Sequence, residues 1–268
     1  MIDQLGNIVN LHGPPQRIVS LVPSQTELLY HLGLDASVVG VTKFCIHPEI
    51  WHQTKKRVGG TKQLNIEVIR SLQPDLIIGN KEENQKDQIA QLQNEFPVWM
   101  SDIETLGDAT SMIRSIGSIT GKTLESEILS SSIEDAFKEL EYECSLLTPL
   151  TVAYLIWQDP WMAAGHQTFI HAMLRSINLI NCFGNKTRYP VTDLSELENL
   201  APDVVLLSTE PFPFTTIHQT TISNQSSFLK SNLVDGEYFS WYGSRLLKAP
   251  DYFRQLRVQL NELVTASN

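Results

Sequence analysis

Residues 66–79 read Ile-Glu-Val-Ile-Arg-Ser-Leu-Gln-Pro-Asp-Leu-Ile-Ile-Gly (IEVIRSLQPDLIIG). The apolar residues Ile66, Ile69 and Leu72 are spaced for one face of a helix. Pro74 stops that helix, because its nitrogen has no hydrogen to donate and its ring clashes with the preceding turn. The run Asp75–Gly79 that follows is short, apolar and free of alternation, as a strand buried on both faces must be. The pattern returns 128 residues later, where Leu200-Ala201-Pro202-Asp203-Val204-Val205-Leu206 repeats Leu72–Ile78. In that register Ser195 replaces Glu67, and Glu82 meets Glu210. A second likeness pairs Ser24-Gln25-Thr26 with His166-Gln167-Thr168 at an offset of 142. Two likenesses in the same order predict two similar halves.

The remaining chain is consistent with helices alternating with strands. Arg17–Val22 is a β-branched run, and Ser24 with Glu27 three residues on has the form of a capping box opening a helix to about Leu32, where Gly33 ends it. Ser37–Val41 and Val98–Met100 read as strands, Glu83–Glu95 and Leu106–Ile119 as helices. From Thr123 to Leu147 there is neither Gly nor Pro, and Leu124, Ile128, Leu129, Ile133, Phe137, Leu140 and Leu147 form an apolar stripe along one long helix. After Pro149 the first pattern restarts, with strand Leu150–Trp157, helix His166–Ile177 and strand Asp203–Ser208. A β-α-β series predicts parallel sheets covered by helices. The expected fold is therefore α/β, with two Rossmann-like lobes joined by a single long helix and a cleft between them. The expected division is an N-terminal lobe at 1–121, a connecting helix at 122–148 and a C-terminal lobe at 149–268.

Composition narrows the function. The chain has 268 residues, 42% of them hydrophobic and 19% charged, which excludes a disordered chain. Twenty Lys and Arg against 30 Asp and Glu give a net charge of −10, which disfavours nucleic acid as a partner. No apolar run is long enough to span a membrane. The start, Met1-Ile2-Asp3-Gln4-Leu5, lacks the basic and apolar regions of a secretory signal, so the sequence alone leaves the compartment open. Cys45, Cys144 and Cys182 are far apart and odd in number, which argues against a disulfide framework and a structural zinc site.

In open parallel sheets, ligands bind the loops beyond the carboxyl ends of the strands. Those loops hold Ser24, Phe44, His47, Glu82 and Glu83 in the first half, and Trp157, Asp159, Trp161, Trp241, Tyr242 and Arg245 in the second. Aromatic walls with a few polar groups suit a large planar or macrocyclic ligand. Each residue also has a local explanation. Glu82 and Glu83 suit a helix start, Trp157 can cap a strand, and Arg245 can pair with Asp235 or Glu237. The histidines show no metal-ligand spacing, and no nucleophile, phosphate-loop or dinucleotide signature is present, so no catalytic and no metal-ligating residues are expected. Binding rather than chemistry is the expectation.

The segments RIVSLVPSQTELLYHLGL (17–34), VVGVTKFCIHP (38–48), LQPDLIIGNKEEN (72–84), WQDPWMAAG (157–165), LAPDVVLLSTEPFPF (200–214) and DGEYFSWYGSR (235–245) together resemble the periplasmic-binding-protein class with a helical backbone between lobes. That class serves ABC importers of vitamin B12, ferric siderophores and haem. The resemblance implies a monomeric substrate-binding protein of the periplasm or cell envelope. It would have no intrinsic cofactor and would hold a cobalamin-like or ferric-siderophore-like chelate, with the metal kept inside its own organic ligand and His47 as the one protein atom that could approach it. It also implies that carboxylates dock onto the permease, falling here on Glu67 and, beside Ser195, on Glu196. Vitamin B12-binding members carry tryptophans from both lobes. The two N-lobe positions fall on Thr61 and Asn80, and the C-lobe position matches Trp241. A cytosolic binder of the same ligands and, more remotely, an enzyme acting on them with Glu82 and His47 as its acid–base pair remain the alternatives. Truncating Trp241 or Arg245 to Ala is expected to weaken binding with little change in melting temperature.

Overall fold

The computed structural model describes residues 1–226 and 228–266 and forms two compact units. The first comprises Met1–Ile103, Gly107–Ile133 and Trp241–Arg245. The second comprises Glu104–Leu106, Glu134–Ser240 and Leu246–Asn268. The fold is mixed α/β, as the sequence pattern requires.

The first unit is built on β1 (Ile18–Ser20), β2 (Val38–Val41), β3 (Lys56–Arg57), β4 (Leu76–Asn80) and β5 (Val98–Ser101). They form one five-stranded sheet in the order β3-β2-β1-β4-β5, with every pairing parallel. All five carboxyl ends therefore emerge at one edge. The intervening helices are α1 (Pro23–His31), α2 (Glu49–Thr54), α3 (Ile66–Leu72) and α4 (Lys86–Gln93), followed by α5 (Leu106–Thr120). The core joins Val19, Leu21, Ile77, Val98 and Met100 of the sheet region to Ile69, Ile89 and Leu92 of the helices.

The second unit carries β6 (Leu150–Trp157), β7 (Met162–Ala163), α7 (Phe169–Ser176), β8 (Leu179–Asn181), α8 (Leu194–Leu200), β9 (Val204–Ser208), α9 (Thr216–Gln225), β10 (Ser231–Val234) and the last helix α11 (Ala249–Thr265), with a short helix α10 (Glu237–Ser240) before it. β6 lies between β9 and β8, both parallel to it, while β7 pairs with it antiparallel. β10 extends the sheet beyond β9.

The repeat seen in the sequence is a repeat of structure. Asn65 caps α3 by accepting from the Val68 amide at 3.1 Å, and Asp193 caps α8 by accepting from the Glu196 amide at 2.8 Å. Both helices end on a left-handed residue before proline, Gln73 and Ala201, each at φ 44°. The aspartate that follows then ties two strands together. Asp75 accepts from the amides of Gln16 and Arg17, and Asp203 from the amide and hydroxyl of Thr151. The second likeness does not extend to conformation. Ser24–Thr26 lie within α1, whereas Gln167 has φ 59° and Thr168 is the N-cap of α7. His166 thus precedes its helix.

Two further readings are corrected. Ser24 caps nothing, since Val22 is the N-cap of α1 and Pro23 fills the first turn, where a missing amide hydrogen costs nothing. The long helix, α6 (Thr123–Ser145), buries Leu129, Ile133, Phe137, Leu140 and Cys144, but leaves Leu124 and Ile128 exposed at 71% and 59%. Spacings of three and four from Leu129 keep one stripe on the core side, and Leu124 and Ile128 lie off it.

α11 buries Arg257, whose Nη2 donates to the Thr148 carbonyl at 2.9 Å while Nε and Nη1 have no partner among the described residues. Burial pushes its pKa down. A desolvated cation with two unmet donors is an expense to the fold, so Arg257→Met should raise the unfolding free energy by about 1 kcal/mol or more in urea titrations. A loss of similar size would show instead that the Thr148 bond outweighs desolvation.

Candidate functional site

The loops at the carboxyl edge of the first sheet form the candidate site. After β2 the chain turns through Thr42–His47. Cys45 is buried there against the hydroxyls of Thr26 and Thr42, at 3.0 and 3.2 Å, and burial pushes its thiol pKa up, so it packs rather than reacts. Lys43 lies 5.0 Å from the centre of the Phe44 ring. That ring is half exposed and rests against Gly60, where an added Cβ would come within 3.1 Å of it. His47 is half-buried, with its ring 5.6 Å from that of Trp241.

Trp241–Arg245 completes this group from far along the chain. Gly243 lets the segment lie on α1, since a Cβ there would sit 2.6 Å from the Ser24 carbonyl oxygen. Trp241 is only 6% exposed, with the Arg245 guanidinium 4.6 Å from its ring centre. Arg245 donates from Nε and Nη2 to the two oxygens of Glu27 at 3.0 and 2.9 Å. A planar guanidinium matches a carboxylate in both geometry and charge. Tyr242 is buried beside it, and Ser24 is buried with its Oγ unpartnered among the described residues.

After β4, the buried Asn80 organises the next turn. Its Oδ1 accepts from the amides of Glu82 and Glu83, and its Nδ2 donates to Ser101. Lys62 donates to the Glu82 carbonyl, and Lys81 pairs with Asp102 at 2.6 Å. Thr61 and Asn80, 7% and 1% exposed, carry no ring to stack on a ligand. Desolvation pushes the Glu83 pKa up, Lys62 opposes the shift, and Glu82 adds to it. The stability that its protonated form contributes is present in full below the ordinary value of 4.5 and is lost as pH rises through the raised one. Glu83→Gln should therefore raise the melting temperature at pH 7, and the gain should vanish near pH 4. An equal gain at both pH values would contradict this.

The second unit has its own aromatic group. Trp157, 40% exposed at the end of β6, meets Phe212 edge-on at 5.5 Å. Phe212 meets Phe214 at 4.7 Å, and Phe214 stacks on Trp161 at 5.8 Å with the rings 5° from parallel. His218 stands edge-on to both phenylalanines. Its Nδ1 accepts from the Thr215 amide at 2.9 Å, which places the proton of the neutral ring on Nε2. Phe212, Phe214 and His218 were not among the expected site residues, although the E-P-F-P-F run marked the loop. Asp159 is exposed in the turn between β6 and β7, at φ 62°.

The two candidate docking carboxylates differ. Glu67 is 80% exposed on its side chain and pairs with Arg70 one turn on. Glu196 is held by Lys186 and by the Thr192 hydroxyl, and Lys186 keeps its pKa below the usual range. Ser195, exposed at the second residue of α8, holds the position that Glu67 holds on α3. No group of three or more His, Cys, Asp or Glu able to hold a metal ion occurs among the described residues.

Each unit thus carries a sheet of mainly parallel strands, an Asx-capped helix that ends before Pro-Asp, and aromatic residues in loops at the strand ends. Residues 18–234 match the model of the family described as periplasmic binding protein, and the chain belongs to that family. It is 24% identical to a vitamin B12-binding protein of Pectobacterium atrosepticum over 267 residues, which cover 94% of this chain and 91% of that one. It is 27% identical over 206 residues to an uncharacterised ABC transporter substrate-binding lipoprotein of Bacillus subtilis, covering 74% of this chain and 65% of that protein's length. Among solved structures, a periplasmic haem-binding protein from Roseiflexus superposes with a TM-score of 0.79 at 21% identity, over 93% of this chain and 99% of that one.

Proposed function

We propose that the chain is the substrate-binding component of an ABC importer, acting in the cell envelope, and that it carries a metal chelate of the corrinoid, haem or ferric-siderophore kind. The observation that carries this reading is the Trp241 ring with Arg245 over its face and His47 at its edge, held at the carboxyl edge of an all-parallel sheet. An indole fixed in this way would offer a chelate its remaining exposed edge, with the guanidinium and imidazole beside it, at little entropic cost on binding. Family membership and the vitamin B12- and haem-binding relatives support the same class of ligand. In the first unit Phe44 would add an apolar contact while Ser24, Glu82, Glu83, Tyr242 and Arg245 would orient polar groups, and in the second unit Trp157 and Trp161 would offer apolar contacts and Asp159 a polar one. Glu67, the outward acid, would serve docking to the permease, and Glu196 would have to leave Lys186 to do the same.

Titrating the purified protein with cyanocobalamin, haem and ferrichrome while following tryptophan fluorescence tests this directly. Saturable quenching by at least one of them at micromolar concentration is the expected result. Failure of all three at that concentration would overturn the chelate reading.

A further inference from the structure

The charges at the carboxyl edge of the first sheet come in opposed sets. Arg245 is closed by the bidentate Glu27, and Lys81 is paired with Asp102. Lys62 donates to the Glu82 backbone and acts on Glu83 as an opposite charge. The fourth cation, Lys43, lies by the Phe44 ring. These four cations thus stand with the four carboxylates Glu27, Glu82, Glu83 and Asp102, while Arg57, at the end of β3, donates to the carbonyls of Trp51 and Lys55. A site meant for a polyanion would present guanidinium and ammonium groups with their charge uncompensated, because the cost of stripping water from an anion must be met by opposite charge. Here the arginine stacked on the central indole is instead neutralised by a carboxylate from α1, 218 residues away in sequence.

We propose that this site selects chelates without net charge, neutral corrinoids or neutral ferric hydroxamates, over polyanionic ones, and that Glu27 is the positioning residue that sets this preference through Arg245. The inference rests on the chelate-binding reading and specifies its ligand. Glu27 acts in two ways. It fixes the guanidinium over Trp241, and it cancels the field that would otherwise draw a carboxylate or catecholate chelate. A neutral chelate then binds through stacking and apolar contact, with affinity nearly independent of salt.

The test measures dissociation constants for cyanocobalamin and ferrichrome, both uncharged, and for the trianionic ferric enterobactin, at low and high sodium chloride. The wild-type protein, Glu27→Gln and Glu27→Asp are compared. The wild-type protein should bind one neutral probe about a hundredfold or more tighter than the trianion, and which neutral probe it prefers separates the corrinoid from the hydroxamate. Glu27→Gln should narrow that ratio by about tenfold or more, with affinity for the trianion now falling steeply with salt, and Glu27→Asp should restore it. A merely structural role for Glu27 would weaken all probes equally and leave the ratio unchanged, which would overturn the proposal. Wild-type binding of the trianion as tight as that of the neutral probes would overturn it too while leaving the chelate reading intact. If no probe of any charge binds, the proposal falls, and the chelate reading falls with it only when haem fails to bind as well.

Discussion

Gly117→Val should cost the protein about 3 kcal/mol or more of stability, which for a chain of this size lowers the melting temperature by about 6–12 °C. Gly117 lies where α5 meets the start of α6. A Cβ at this position would sit 1.9 Å from the Ser126 hydroxyl oxygen, 2.2 Å from the Ser126 Cβ and 2.8 Å from the Lys122 carbonyl oxygen. Ser126 is fully buried and its hydroxyl donates back to the Thr123 carbonyl, so it has nowhere to turn. The chain reverses between the helices through Gly121 at φ 72°, and the Lys122 amide donates to the Gly117 carbonyl at 2.7 Å. Any added atom must therefore push two backbones apart. A thermal melt checks the size of the effect. A double-mutant cycle with Ser126→Gly checks its cause, because removing the Ser126 side chain should recover part of what Gly117→Ala loses. Additive losses would place the strain elsewhere.

Trp241→Ala should abolish most binding, weakening the best chelate by about a hundredfold, and should also cost about 3 kcal/mol in stability. The second half revises the expectation drawn from sequence. An aromatic residue in a turn-rich loop reads as exposed until a ligand covers it, yet Trp241 is 6% exposed in the protein alone. Its cover is Arg245 on the face and His47 at the edge, neither predictable from spacing. Truncation removes the ring that both rest on. Trp241→Phe separates the two effects. It retains a ring in the pocket, so it should recover much of the stability while still binding more weakly than the wild type. If Trp241→Ala lowered stability and left binding unchanged, the ring would serve only the fold.

Much of the fold was legible because its signals are local. The apolar runs at Ile77 and Val205, each preceded by Pro-Asp, specify buried parallel strands, and the aspartates' bonds to the neighbouring strand explain why that residue recurs. Boundaries failed where a local rule had a stronger competitor. Pro23 displaced Ser24 from the cap, and the left-handed Gln167 postponed α7 to Phe169. The candidate site was legible as a list of loops but not as a set of pairings. Glu27 looked like half of a capping box, and its partner lies 218 residues further on. Phe212, Phe214 and His218 join Trp157 and Trp161 only through packing of the loop after β9. Pairwise recognition across such distances is a property of the folded chain and leaves no spacing to read.

A crystal structure of the protein with its tightest-binding chelate would show whether Trp241 is the ligand contact. The chelate is expected at the carboxyl edge of the first sheet, with its rim or face against Trp241 and with Arg245 still joined to Glu27. A chelate seated elsewhere, for example in the groove lined by Ile8, Asn10, Gln93 and Phe96, with Trp241 untouched, would contradict it.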